Sequence, residues 1–413
     1  MIMMPRVSSC GLTSESNQIL LVSAQVSSIV KISLIYFNAG GGHRASALAI
    51  QSELSRQHPD WEIVLVDLFR VLDPRQIFRR MTGFAPEAYY NKRLSTGLTL
   101  GLSHELKLLQ VMIRMSNRQL VARLTDYWHQ MKPTMVVSLV PNFNRALGES
   151  LQRFSAETPF VTIMTDLADY PPHFWVERGY TQHLICGTQH AVSQAISQGV
   201  QQDRIHHTSG MVLSPRFYDK EDLDRAQARR SAGLDPDAKI GLVMFGGHGS
   251  AIMKRIATAL VDRPLILMCG RNESLLQTLS DLPAQAQRKI VGFTDDVAHW
   301  MRLADYFIGK PGPGSISEAL HCGLPVIVMR NAWTLPQERW NTEWVVENDL
   351  GRVISSIAKI DKAVDEVINN LEHLCANVAR LSNRALFEIP EIIEKIHVNS
   401  RQQDVGVNIN NAC

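Results

Sequence analysis

Phe307 to Met329 reads FIGKPGPGSISEALHCGLPVIVM. An apolar run gives way to a loop with two glycines and two prolines, then to a short helical stretch and a second apolar run. The helix is expected to open at Ser315, with Glu318 three residues on, and to stop before Gly323 and Pro325. Two buried strands joined through one short helix form the unit of an open parallel α/β sheet, where ligands collect beyond the carboxyl ends of the strands. The amides of the Gly312 to Gly314 loop and the positive end of the helix suit an anion, and Glu318 suits hydroxyl groups. A nucleotide diphosphate sugar presents both. The same spacing matches a capping box, in which Glu318 only satisfies the amide of Ser315; a loop richer in glycine than capping requires favours the ligand.

Working outward, the chain has 413 residues, 45% hydrophobic and 20% charged, enough for two domains of ordinary size. Its six cysteines (Cys10, Cys186, Cys269, Cys322, Cys375, Cys413) show no short paired spacing. That argues against a disulfide framework and a zinc site, and for a reducing, cytosolic setting. No apolar run approaches the roughly 18 residues of a membrane span. Residues 1–30 lack the basic start and apolar core of a signal peptide and are expected to be a disordered leader, as is the polar tail after Val398.

Charge is uneven. The net charge is +2, yet residues 70–123 hold ten basic residues against three acidic ones, a net of +7. The basic residues, Arg79 and Arg80 among them, are mixed with Ile77, Phe78, Met81, Phe84, Tyr89 and Tyr90, and a helix-like segment from Leu106 to Leu124 is basic on one side. Basic amphipathic surface of this kind suits anionic membrane lipids, although a solvated helix face gives the same pattern. No nucleic-acid motif accompanies the charge, so no nucleic-acid partner is expected.

Strands and helices alternate in two sets. Strands are expected at Ile32 to Phe37, Ile63 to Asp67, Met135 to Val140, Phe160 to Thr165 and His183 to Cys186, with a helix from Ala45 to Gln57. A second set starts at Ile240 to Phe245, with a glycine loop, a helix from Ala251, and strands at Leu265 to Met268 and Ile290 to Phe293. The hinge is placed near Gly210 to Tyr218. The expected division is 31–212 for an N-terminal acceptor and membrane-binding domain and 213–385 for a C-terminal donor-binding domain. Residues 386–413 then form a helix packing back on the first domain plus a disordered tail. Two βαβ domains, each with a glycine loop after its first strand, would face a cleft.

The first of those loops is AGGGHRA. Gly40, Gly42 and Ala45 fit G-x-G-x-x-A, and Asp67 ends the next strand, a pattern shared with dinucleotide-binding folds. His43 argues against that reading, because an imidazole there crowds a pyrophosphate. At a helix N-terminus facing a cleft it is instead kept neutral and able to act as a base.

GGGHRASA, TDLADYPPHFW (Thr165 to Trp175), GGHGS (Gly246 to Ser250), GFTDDVAHWM (Gly292 to Met301), KPGPGSISEALHCGLP and PQERWN (Pro336 to Asn341) occur in that order. Together they resemble the monogalactosyldiacylglycerol synthases over residues 31–355. These are GT-B glycosyltransferases of the clan that includes the peptidoglycan N-acetylglucosaminyltransferase. The resemblance implies a GT-B fold, two Rossmann-like domains, and an inverting, metal-independent, cofactor-free transfer of galactose or glucose from a UDP-sugar to the hydroxyl of diacylglycerol. The enzyme would lie on the cytoplasmic face of a membrane as a peripheral protein and make a glycolipid.

Carried over residue by residue, the resemblance puts Glu318 on the UDP ribose and Gly314 and Ser315 near the diphosphate. Phe293 and Thr294 would frame the uracil, Gly247, Gly249 and Ser250 would face the phosphates, and Gln337, Glu338 and Asn341 would read sugar hydroxyls. His43 would be the base, with Asp166 orienting it or serving in its place. Gly41, Gly42, Arg79, Arg80, Phe84 and Trp175 are the candidates for the acceptor and membrane side. Pro311, Pro336, Arg339 and Trp340 depart from the family pattern, so the sugar pocket is expected to differ; Trp333 and Trp340 suit either a hexose or an interface. Two rival readings remain at this stage, a nicotinamide-dependent oxidoreductase resting on the first loop and Asp67, and a non-catalytic UDP-sugar or lipid sensor.

Overall fold

The computed structural model describes residues 29–38, 42–73, 102–178, 180–219, 223–247, 249–332 and 334–410. Among the described residues, twelve short strands make two parallel sheets. The first holds β1 (Lys31–Tyr36), β2 (Glu62–Asp67), β3 (Met135–Ser138), β4 (Phe160–Ile163), β5 (His183–Cys186) and β6 (Ile205–His207), in the order β2-β1-β3-β4-β5-β6. The second holds β7 (Gly241–Met244), β8 (Leu265–Met268), β9 (Arg288–Val291), β10 (Tyr306–Gly309), β11 (Val326–Met329) and β12 (Gly351–Ile354), in the order β12-β11-β10-β7-β8-β9.

The composition of the strands explains this arrangement. MVVS, FVTI, GLVM, LILM, YFIG and VIVM are buried along their whole length, as strands covered on both faces must be. Alternation then divides their side chains between two cores. In the second sheet Leu242, Met244, Ile266, Met268, Phe307, Val326 and Val328 pack on one side. Val243, Leu265, Leu267, Tyr306, Ile308, Ile327 and Met329 pack on the other. The first sheet divides likewise, with Ile32, Leu34, Val137, Val161 and Ile163 opposite Ile35, Val66, Val136 and Phe160.

This topology sets where ligands can bind. Strand order reverses between β1 and β3 in one sheet and between β7 and β10 in the other, and each reversal opens a crevice at the carboxyl ends of its strands. The loops after β1 and β7 are the two glycine loops of the sequence. The opening stretch supplies β10, the loop that follows, the Pro313–His321 helix and β11. That helix starts two residues before Ser315: Gly312 is its N-cap and Pro313 its first residue, where a fixed φ and a missing N–H cost nothing.

The chain returns to its first half at the end. Ala385, Ile389, Ile393 and Ile396 of the Ala385–Asn410 helix join the core around Ile32, Ile50 and Leu54. At the crossing Glu388 Oε2 accepts from Ser209 N (2.7 Å) and Oγ (3.0 Å), and Asn383 Nδ2 donates to the Met211 carbonyl (2.8 Å). Phe387 meets Tyr218 edge-on at 5.0 Å.

Candidate functional site

At the β7–β10 reversal two loops face one another. Gly246 (φ +77°) and Gly249 (φ +59°) turn the β7 loop, and Gly249 N donates to the Gly246 carbonyl. The end of β8 braces it: Arg271 N donates to the Gly247 carbonyl at 3.0 Å, and Gly270 (φ +57°) packs so close that a Cβ there would lie 2.2 Å from the same oxygen. Ser250 follows, half-buried. Beyond β9, Phe293 is exposed with the Arg271 guanidinium 3.6 Å above its ring, and Thr294 Oγ1 accepts from Asp296 N.

The other loop ends in the Pro313–His321 helix. Its cap is a glycine with no side chain to give, Pro313 has no N–H, and Ile316 N already donates to the Gly312 carbonyl. The amides of Gly314 and Ser315 are therefore the first-turn donors left for an anion, and space around Gly314 is open. The capping-box alternative for Glu318 is not formed. Its carboxylate is half-buried, accepts no hydrogen bond among the described residues, and is pushed up to about 7 by burial. A carboxylate in that condition gains from hydroxyl donors.

The Pro336–Glu347 helix closes this half. Glu338 Oε1 accepts from Lys310 Nζ at 2.8 Å, and the side-chain oxygen of Gln337 is buried without a partner. Asn341, expected to read sugar hydroxyls, is fully buried; its Nδ2 holds the Pro311 carbonyl at 2.8 Å, and its Oδ1, like the Gln337 oxygen, has no partner among the described residues. It shapes the loop that bears the other groups.

Across the cleft, His43 is the second residue of the Gly42–Gln57 helix. Its Nδ1 lies 2.9 Å from Thr165 Oγ1, so Thr165 holds the ring, while Asp166, expected to orient His43 or to serve in its place, accepts from Trp175. Burial pushes the imidazole down to about 4, against a hydrogen bond to the Leu139 backbone carbonyl that works the other way, so the ring is neutral at pH 7. Asp166 follows β4, 7% exposed. Burial pushes its carboxyl up to about 7; the Trp175 indole opposes that shift, Glu338 adds to it, and Lys310 opposes it. Asp166 thus lies within electrostatic reach of the Lys310–Glu338 pair of the other half.

Trp175 is a correction. Expected on the acceptor and membrane side, it is fully buried, and its Nε1 donates to Asp166 Oδ2 at 2.9 Å. Trp340 does not face a hexose in this cleft; it stacks on His190 at 4.2 Å and joins the two halves. Gly42 is exposed at the helix start, while Gly41, Arg79, Arg80, Phe84, Trp333 and the leader lie outside the described residues, apart from its last two positions. Three residues that matter here were not singled out from sequence: Lys310, Thr165 and Asp169. Each lies inside a motif quoted above, Lys310 at the head of KPGPGSISEALHCGLP and Thr165 and Asp169 in TDLADYPPHFW, and that is the signal that could have marked them.

Residues 246–396 match the glycosyltransferase family 28 C-terminal domain. The chain is 27% identical to monogalactosyldiacylglycerol synthase 3, chloroplastic, of Arabidopsis thaliana, over 91% of this chain and 82% of that one. It is 28% identical to the probable monogalactosyldiacylglycerol synthase 2, chloroplastic, of Oryza sativa subsp. indica, covering 88% and 80%. Among solved structures, the S. aureus MnaA–UDP co-structure superposes with a TM-score of 0.57 at 16% identity, covering 90% of this chain and 98% of that one. Acinetobacter baumannii MurG does so at 0.55 and 13%, covering 88% and 99%. The fold is GT-B, and over most of its length the chain is similar to monogalactosyldiacylglycerol synthases.

Proposed function

We propose that the protein transfers a hexose from a UDP-sugar to the hydroxyl of diacylglycerol with inversion at the anomeric carbon. One observation carries the reading: Asp166, whose Trp175 partner also packs near His43, lies within electrostatic reach of Lys310 and Glu338 in the other half, whose Lys310 stands beside the loop that opens the Pro313–His321 helix. The amides of Gly314 and Ser315 take the diphosphate, with Gly247, Gly249 and Ser250 on its other side. Glu318 takes the ribose, Phe293 and Thr294 border the uracil, and Gln337 and Glu338 meet the hexose. The names of the relatives favour galactose and a diacylglycerol acceptor.

In the transfer, the acceptor oxygen attacks the anomeric carbon from the face opposite the diphosphate. The bond from that carbon to the phosphate oxygen breaks, and its electron pair leaves with UDP. His43 takes the acceptor proton, and the Asp166 carboxylate offsets the charge the imidazole gains. The donors around the diphosphate serve in place of a metal ion.

A lipid acceptor calls for a surface that meets a bilayer. Leu108, Val111, Met112 and Met115 of the Leu102–Met115 helix are exposed at helical spacing along one stripe, with Arg114 beside them and Arg118 just beyond. No helix among the described residues is long and apolar enough to cross a membrane. The stripe supports peripheral attachment to anionic lipid.

The test is direct. Full-length protein is incubated with diacylglycerol vesicles and UDP-galactose, UDP-glucose or UDP-N-acetylglucosamine in turn, with and without chelator. Glycolipid is expected from UDP-galactose or UDP-glucose in both conditions. Absence of product with all three overturns the reading, and loss of product with chelator alone overturns its metal-independent part.

A further inference from the structure

Lys310 lies where four parts of the cleft meet. Its Nζ is 2.8 Å from Glu338 Oε1. A Cβ on Gly312 would come within 3.4 Å of that Nζ, and one on Gly246 within 3.9 Å of Lys310 Cε, so the side chain runs between the two glycine loops. Asp166 of the other half feels both members of the pair. Exposure is unequal: the Glu338 side chain is 7% exposed and that of Lys310 36%, so the cation is the member that reaches the open cleft.

An ion pair with one end in water adds little to stability, so stability alone gives no reason to hold this cation at the open cleft. This pair instead keeps a cation beside the backbone donors of an anion site. Resting on the reading above, we propose that Lys310 is a diphosphate-binding residue held in reserve by Glu338, and that donor binding moves it from the Glu338 carboxylate to the phosphate oxygens. The exchange releases Glu338 to accept from a hexose hydroxyl at the moment the sugar arrives. Negative charge growing on the departing phosphate oxygen meets a cation that needs no metal to supply it. A lone UDP and a complete UDP-sugar are then distinguished, because only the sugar offers Glu338 a new partner.

Calorimetric titration of the full chain with UDP, and saturation-transfer NMR with uridine, test the exchange. A charged hydrogen bond of ordinary strength corresponds to about a tenfold to hundredfold change in affinity. Lys310→Met is expected to weaken UDP by that factor and leave uridine unchanged, with Lys310→Arg in between. Glu338→Gln, which removes the competing counter-ion, is expected to bind UDP several-fold more tightly. Equal loss of UDP and uridine in Lys310→Met, unchanged UDP affinity, or weaker UDP binding in Glu338→Gln each overturns the exchange while wild-type binding of UDP leaves the transferase reading standing. If Lys310→Met does not fold, Glu338→Gln decides alone. Wild-type protein that binds no UDP overturns both.

Discussion

Trp175 and Asp166 are joined by one hydrogen bond, from indole Nε1 to carboxylate Oδ2 at 2.9 Å, with the indole fully buried and the carboxyl group nearly so. The bond is itself held from behind. Asp169 accepts from Trp175 N at 2.7 Å, from His173 N at 3.2 Å and from Gln198 Nε2 at 2.6 Å, fixing the loop that carries the indole. The tryptophan therefore acts on the carboxyl group and not on a lipid.

The consequence for catalysis is a pH dependence. The indole stabilises the ionised form of Asp166, so Trp175→Phe should raise its titration above about 7. Hydrogen bonds to charged groups are worth about 1.5–3 kcal/mol and each pH unit about 1.4 kcal/mol, so a displacement of about one to two units is expected. The measurement is kcat against pH at saturating donor; an acid limb that stays in place in Trp175→Phe contradicts the role.

The wild-type profile separates His43 from Asp166. His43, near 4, is already unprotonated from pH 6 to 8 and contributes no limb there. Asp166, near 7, must lose its proton to offset the imidazolium, so kcat should rise with pH and level off above about 7. Asp166→Asn should abolish the limb and leave a lower, flat rate, and His43→Ala should cost a hundredfold or more at every pH, in the range of a lost general base. A flat wild-type profile removes Asp166 from the mechanism.

Glu318 makes UDP affinity pH-dependent by a separate route. Its proton, held up to about 7 by burial, must leave before the carboxylate can accept from ribose hydroxyls. Affinity should therefore rise from pH 6 to 8. UDP itself titrates near pH 6 at its outer phosphate, so the Glu318→Gln protein supplies the baseline. The difference between the two slopes is the prediction, and identical slopes would remove Glu318 from the ribose. Glu318→Ala should also abolish transfer.

How much of this was readable in advance follows from the residues themselves. Runs such as VIVM and LILM are apolar throughout, so buried parallel strands and the two-domain fold could be read directly. The edge strands β6 (IHH) and β12 (GRVI) carry no such signal and were not expected. The helix start moved from Ser315 to Pro313 because Gly312 and Pro313 are themselves a start signal, stronger than the serine. The site was less legible. Lys310 and Glu338 stand 28 positions apart and meet only once β10 and the Pro336–Glu347 helix are packed together. A lone lysine has no spacing to betray it. Trp175 was misplaced for a related reason: an aromatic residue in a loop reads alike whether its ring meets lipid or a buried carboxyl group.

The brace behind the β7 loop can be broken from outside the site. At Gly270 a methyl group would be driven into the Gly247 carbonyl, at a φ that side chains rarely adopt. Gly270→Ala should cost about 2 kcal/mol or more in urea denaturation and weaken UDP while the first half keeps its vesicle binding. Native stability with native UDP affinity would show that the loop is not held from β8.

Attachment to membranes is testable apart from the chemistry. The exposed stripe of Leu108, Val111, Met112 and Met115 should enter the headgroup region, where each large apolar side chain gains about 1.5–3 kcal/mol. Replacing Met112 and Met115 with Glu removes two of these contacts and adds repulsion from anionic lipid. Sedimentation with anionic vesicles should show at least a tenfold loss of binding. UDP affinity should be unchanged, because the stripe and the donor loops belong to different halves. Arg79→Glu with Arg80→Glu, at positions outside the described residues, should act in the same direction through charge alone and lose its effect in high salt, whereas the methionine variant should not recover. Vesicle binding that survives both changes would make the stripe an ordinary solvated face and would leave the enzyme to reach its lipid by another surface.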